Sequence, residues 1–181
     1  MNKLNKILVP VDFSEESARA LQYALSLACK TSAEVVALHV VEKTDDAEFL
    51  ISSVVVLEGS PFPVNDFSRV PVDILLRERS LDLWNFVERI VGANNRVKIS
   101  KRIKLGNWLK ATRAVIQKED IDLVVLELRK GSFPDLEALK VIRLIRSIPC
   151  PVLLDTQTAE PTHERGKRLF WFQPAIAEAK A

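Results

Sequence analysis

The sequence predicts an α/β fold: a doubly wound, mostly parallel five-stranded sheet with helices on both faces, Rossmann-like in outline. Three observations carry the prediction. Short β-branched runs alternate with stretches of helical periodicity through most of the chain. The runs are apolar on both faces rather than on one, which is how strands read when helices cover both sides of a sheet. The first strand, helix and strand are complete within about forty residues, the span of a βαβ unit with a right-handed crossover.

Each element has its own signal. Ile7-Leu8-Val9-Pro10-Val11 is the first strand. Asp12-Phe13-Ser14-Glu15-Glu16 then starts a helix. Ser14 offers an N-cap oxygen, and two glutamates fall in the first turn, where the helix dipole favours anions. Ala18, Leu21, Leu25 and Ala28 repeat at helical spacing until Thr31-Ser32, and Glu34 to Val41 is the second strand. From Lys43 to Pro71 the pattern is irregular: residues 44–71 form either a long excursion or an added hairpin. Val54-Val55-Val56 favours strand there, and Gly59-Ser60-Pro61 marks loop. This Val-rich stretch either packs on its own domain or offers a surface to a partner.

Asp73 to Val91 reads as a helix with Leu76, Leu83, Trp84, Val87 and Ile90 on its apolar side, ended by Gly92 and Asn94-Asn95. Val97 to Leu105 alternates apolar residues with Lys98, Lys101, Arg102 and Lys104, which predicts a strand near a sheet edge with a basic outer face. Gly106-Asn107 caps a helix carrying Leu109, Thr112, Val115 and Ile116. Ile121 to Leu126 is the next buried strand. Phe133-Pro134-Asp135 opens a helix to about Ser147, and Pro151 to Leu154 is the last strand. The domain therefore spans residues 1–155. Residues 156–181 form a tail that is basic, then aromatic at Phe170-Trp171-Phe172.

Composition narrows the functions open to such a fold. The 181 residues are 48% hydrophobic and 28% charged, so a core can be buried and a wholly disordered chain is excluded. Lys+Arg 26 against Asp+Glu 24 leaves a net charge of +2, without the basic excess of a nucleic-acid binder. The mean hydropathy of +0.06 leaves apolar surface for a partner. Cys29 and Cys150 lack zinc-ligand spacing and read as small buried hydrophobes. Two histidines and no spaced His/Cys/Asp set give no metal site. No apolar run approaches the roughly 20 residues that span a bilayer, and Met1 to Lys6 leads straight into a strand without a signal-peptide pattern, so the chain reads as cytoplasmic and no membrane partner is expected. The G-x-S-x-G, P-loop and Rossmann glycine motifs are all absent.

From Lys6 to Leu154 the chain resembles the universal stress protein family. The resemblance rests on Lys6-Ile7-Leu8-Val9-Pro10-Val11-Asp12-Phe13-Ser14, the Ala-rich helix after it, and Leu38-His39-Val40-Val41. It continues at Gly106, Asp122-Leu123-Val124-Val125 and Pro149-Cys150-Pro151-Val152. It implies a strand order of 3-2-1-4-5, a homodimer, and a stress-response or regulatory role. It also implies an adenosine pocket at Pro10, Val11, Asp12 and Val40, since many members bind ATP. Those members cradle the phosphates with G-x2-G-x9-G-[ST] after the fourth strand, and here the chain departs. Glu127 and Lys130 stand where the first two glycines are expected, and no Gly-[ST] pair follows at the spacing of the last two positions. Glycines there let the backbone approach phosphate and aim N–H groups at it. A carboxylate instead repels an anion at 4 Å by roughly 4 kcal/mol at an effective dielectric of 20.

Two constellations remain open from sequence. Asp12 either accepts hydrogen bonds from an adenosine-like ligand or orders the loop into the first helix. Arg129, Lys130, Gly131 and Ser132 either rebuild an anion site or, with Lys140, Arg143 and Arg146, form a solvated basic face. His39 reads as a packed core residue. The last strand, Val152, Leu153 and Leu154, should lie at a sheet edge and pair with a second copy. Phe170, Trp171 and Phe172 either anchor on that copy or dock on their own chain. The expectation is a non-enzymatic, dimeric regulatory module without a cofactor. The alternative is an adenine-nucleotide binder, with ATP held by Arg129 and Lys130, or a weak ATP hydrolase.

Overall fold

The computed structural model describes residues 3–42, 72–92, 96–128, 136–156 and 168–172. The 44–71 excursion or hairpin lies outside them. Five strands run in parallel: β1 (Lys6–Pro10), β2 (Glu34–Val41), β3 (Ile99–Leu105), β4 (Leu123–Leu128) and β5 (Val152–Thr156). Between them lie α1 (Glu15–Thr31), α2 (Val72–Val91), α3 (Trp108–Lys118) and α4 (Leu136–Ile145). The order of the parallel strands is 3-2-1-4-5, as the resemblance implies.

Successive residues of a strand point to opposite faces, and both faces here are covered. Ile7, Val9, Val35, Ala37, Val125 and Leu153 pack with Leu21, Ala24, Leu83, Phe86 and Val87 of α1 and α2. Leu8, Val36, Leu38, Val124, Leu126 and Val152 pack with Val115, Ile116, Val141 and Leu144 of α3 and α4. That is why the strands read as continuous apolar runs. Ser14 caps α1, its hydroxyl accepting from the Ser17 N–H at 3.1 Å. Asn107 caps α3 by accepting from the Lys110 N–H at 3.1 Å. Gly106 takes φ +125, a conformation that strains residues with a Cβ, in the turn from β3 to α3.

Four expectations change. Trp84 is 55% exposed rather than on the buried side of α2, because Phe86 takes the inward position and Trp84 lies under the Lys101 ammonium, 3.4 Å from the ring centroid. Cys29 is exposed while Cys150 is buried. His39 is half-buried at the end of β2, not enclosed in the core. The largest correction concerns Val152, Leu153 and Leu154. Their strand is not an edge, because β6 (Arg168–Phe172) pairs antiparallel along it. Phe172, Trp171 and Phe170 stand opposite Val152, Leu153 and Leu154 within one chain. The aromatic run of the tail is thus a sixth strand, and docking on its own chain is the arrangement adopted.

Candidate functional site

The sheet itself opens the site. β1 pairs with β2 over five residues but with β4 only at Ile7–Leu123 and Leu8–Val124. Strand order reverses between β1 and β4, and the two strands part toward their carboxyl ends, where ligands bind in sheets of this type. The Val11 N–H donates to the Leu38 carbonyl of β2 at 2.8 Å. Alternation along the strand turns the Pro10 nitrogen toward the gap, where it carries no proton and leaves no donor unpaired.

The gap is a cavity of about 330 Å³. Pro10, Val11 and Asp12 line it from β1, His39, Val40 and Glu42 from β2, and Leu126 and Glu127 from β4. Ser14, Glu16, Ser17 and Ala20 come from the start of α1, Trp108 from α3, and Lys140 and Val141 from α4. Four predicted residues therefore meet here: Pro10, Val11, Asp12 and Val40. Arg129, Lys130, Gly131 and Ser132 lie outside the described residues.

Asp12 is committed to the loop. Its Oδ1 accepts from the Ser14 N–H at 3.0 Å and from the Ser14 hydroxyl at 2.5 Å. Burial pushes its carboxyl up, but the hydrogen bonds, led by those from Ser14, outweigh that and hold it below the usual aspartate value. The loop-ordering role expected from sequence is filled. His39 Nδ1 lies 2.7 Å from the Val11 carbonyl, to which it donates. The ring packs on Phe13, centroids 4.4 Å apart, and Phe13 meets Phe86 edge-on. Burial lowers the His39 pKa below 6.5 despite the Val11 bond, so the ring is neutral at pH 7.

Glu127 closes the far wall. Its side chain is 1% exposed, and its Oε1 accepts from Arg19 Nε of α1 at 2.6 Å. Arg19 also lies 3.4 Å from Glu16 and 3.7 Å from Glu15. Glu42 is held from two sides: its Oε1 accepts from the Trp108 N–H at 3.2 Å, and its Oε2 pairs with Lys140 Nζ at 3.0 Å. The described lining thus holds four carboxylates against one ammonium, and that ammonium is paired. The hydroxyl protons of Ser14 and Ser17 go to Asp12 and to the Ser14 carbonyl. Among the described residues no group of three or more His, Cys, Asp or Glu is arranged to hold a metal ion.

The profile described as "Universal stress protein family" matches residues 3–155. The chain belongs to the universal stress protein family. Solved structures share the fold. The hypothetical protein MJ0577 is 21% identical, with a TM-score of 0.60 over 88% of this chain and 100% of that one. A universal stress protein family member from Burkholderia pseudomallei is 21% identical, with a TM-score of 0.55 over 85% of this chain and 97% of that one. The universal stress protein from Archaeoglobus fulgidus solved in complex with dAMP is 16% identical, with a TM-score of 0.50 over 84% and 98%. At these identities the likeness is one of fold. Among curated proteins, no sequence matches this chain. No described helix is long and apolar enough to cross a membrane.

Sequence reasoning on this universal stress protein missed Arg19, Glu16, Ser17, Glu42 and Trp108 as parts of the site. Glu42 was legible as the end of a strand, where ligands gather. Arg19 gave no signal, since it pairs with Glu127 across 108 residues of sequence.

Proposed function

We propose that this universal stress protein is a non-enzymatic regulatory module that does not use ATP. The observation that carries the reading is Glu127. Its buried carboxylate forms part of the cavity wall, at a position where the family's ATP-binding members are expected to have glycine. Asp12, Glu16 and Glu42 add anionic character. A triphosphate entering beside a carboxylate meets repulsion of at most roughly 4 kcal/mol at 4 Å and an effective dielectric of 20, offset in part where Arg19 or Lys140 already pairs with that carboxylate. A role without turnover is supported by the hydroxyls of Ser14 and Ser17, which are bonded within the loop rather than to an imidazole. The test is the nucleotide content of the purified protein and its ATP affinity by titration calorimetry. No co-purified nucleotide and no heat below millimolar ATP are expected; micromolar affinity overturns the reading.

A second reading is favoured by one observation, that Pro10, Val11, Asp12 and Val40 do share a cavity. In it an adenine nucleotide binds there, with Arg129 and Lys130 meeting the phosphates. Arg129→Ala with Lys130→Ala then lowers nucleotide affinity at least tenfold; unchanged affinity removes this mechanism.

A further inference from the structure

Helix α2 carries large apolar residues on two sides. Leu83, Phe86 and Val87 are buried in the core it shares with α1 and the sheet. Ile74, Leu81 and Trp84 of the same helix are 48%, 58% and 55% exposed. At 3.6 residues per turn, Ile74, Arg77, Leu81, Trp84 and Glu88 fall within about 80° of one another, on the side turned away from that core. They follow at alternating steps of three and four residues, the spacing of a seam where one helix meets another. Single exposed apolar residues are ordinary, but three in one row mark an interaction surface. Lys101 does not close the row. Its ammonium lies 3.4 Å from the Trp84 ring centroid, and the Trp84 side chain is still half outside.

The two charges in the row choose the occupant. Arg77 and Glu88 are both exposed, one before the apolar pair Leu81 and Trp84 and one after it. Glu88 Oε1 accepts from Lys101 at 2.8 Å. A second α2 can be set beside the first, antiparallel, about a two-fold axis level with residues 82 and 83. Leu81 then meets the partner's Trp84, Arg77 meets the partner's Glu88, and Ile74 meets the partner's half-buried Val91. Each contact occurs twice, as a two-fold interface requires. Every residue of the row is thereby matched by apolar surface or by opposite charge. A parallel pair would set Arg77 on Arg77 and Glu88 on Glu88, and like charges opposed across an interface disfavour it. The row is complementary to its own reverse, which points to a second copy rather than to an unrelated helix.

We infer that the outer face of α2 is a self-association surface, on which two copies of this chain pack antiparallel along Ile74, Arg77, Leu81, Trp84 and Glu88. α2 packs on β2 and β3, at the other side of the sheet from β5 and β6, so this seam is separate from the Val152–Leu154 strand. It does not depend on what the cavity holds. The test is light scattering on the full chain at micromolar concentration, with circular dichroism to follow folding. Leu81→Glu, a change at an exposed position, halves the particle mass of the parent and keeps the helical signal. Arg77→Glu also halves it, by opposing Glu88 of the partner, and adding Glu88→Arg to that variant restores the parental mass. Restoration by the second reversal separates this pairing from loss of a charge or of folding. A mass that Leu81→Glu leaves unchanged assigns the face to another occupant and overturns the inference. A double reversal that stays at the mass of Arg77→Glu overturns it as well.

Discussion

Asp12 and Glu127 stand on the same cavity and are held in opposite ways. Asp12 is served by Ser14, two residues on, through a backbone and a hydroxyl donor. Glu127 is served by Arg19 of α1, 108 residues away in sequence. The first arrangement is a local turn that this stretch of chain can form by itself. The second exists only when α1 has packed on the sheet, so its energy is tied to the whole fold. Burial raises the stakes of the second: a carboxylate at 1% exposure has little water to fall back on.

The comparison breaks first at Arg19. Arg19→Ala leaves Glu127 in the wall without its guanidinium. Removing one partner of a buried pair costs about 3–5 kcal/mol, and the low end, about 3 kcal/mol, applies because Arg19 is itself 36% exposed. Urea denaturation reads this as a fall in midpoint at unchanged slope. Replacing both partners, Arg19→Met with Glu127→Leu, returns stability to within about 1 kcal/mol of the parent if the cost lies in the stranded charge. A double variant as unstable as the single one would place the cost in lost packing instead.

Asp12→Ala should cost less, about 1–2 kcal/mol, since the hydrogen bonds it removes are partly exposed and water replaces them. Acid gives the same comparison without mutation. The folded Asp12 carboxyl lies below its unfolded value of 3.8. Its contribution is therefore present above about pH 4 and is lost as pH falls through the lower folded value. In Asp12→Ala that part of the acid limb is missing. His39 acts at milder pH. Its folded pKa is depressed below 6.5, so the unfolded chain takes the proton more readily. Stability is full above about pH 6.5 and declines as pH falls toward the folded value. His39→Leu should flatten this decline in thermal melts between pH 7.5 and 5.5, and an unchanged slope would exclude His39 as its source. The smallest effect belongs to Arg79 and Asp82, an exposed pair at 3.2 Å on α2. Arg79→Ala should change stability by no more than about 0.5 kcal/mol.

Much of the fold was legible because its signals are local. The caps at Ser14 and Asn107, the βαβ spacing and the basic pattern of β3 each lie within a few residues. Among the described residues β3 is at a sheet edge, as its lysines and arginines suggested. Trp84 escaped because helical periodicity places a residue on an angular sector without saying whether a neighbour covers it. Lys101 supplies a cation for its ring, which lets a large aromatic remain half outside. The site was legible at one end only. The strand end Pro10-Val11-Asp12 reads in order along the chain, whereas the Arg19–Glu127 pair and the Glu42–Lys140 pair join elements distant in sequence.

The sequence by itself determined the element order as far as the fifth strand, the two-faced burial of the strands, the family, and the carboxylate at position 127. Only the tertiary structure decided what that carboxylate meets, and that the tail strand lies on β5 rather than leaving that edge open. The physical reason is the same in both cases. Backbone pairing along a strand edge carries no sequence label for its partner, and a charge pair is specified by distance in space. Apolar periodicity, by contrast, is written into every turn and every pleat.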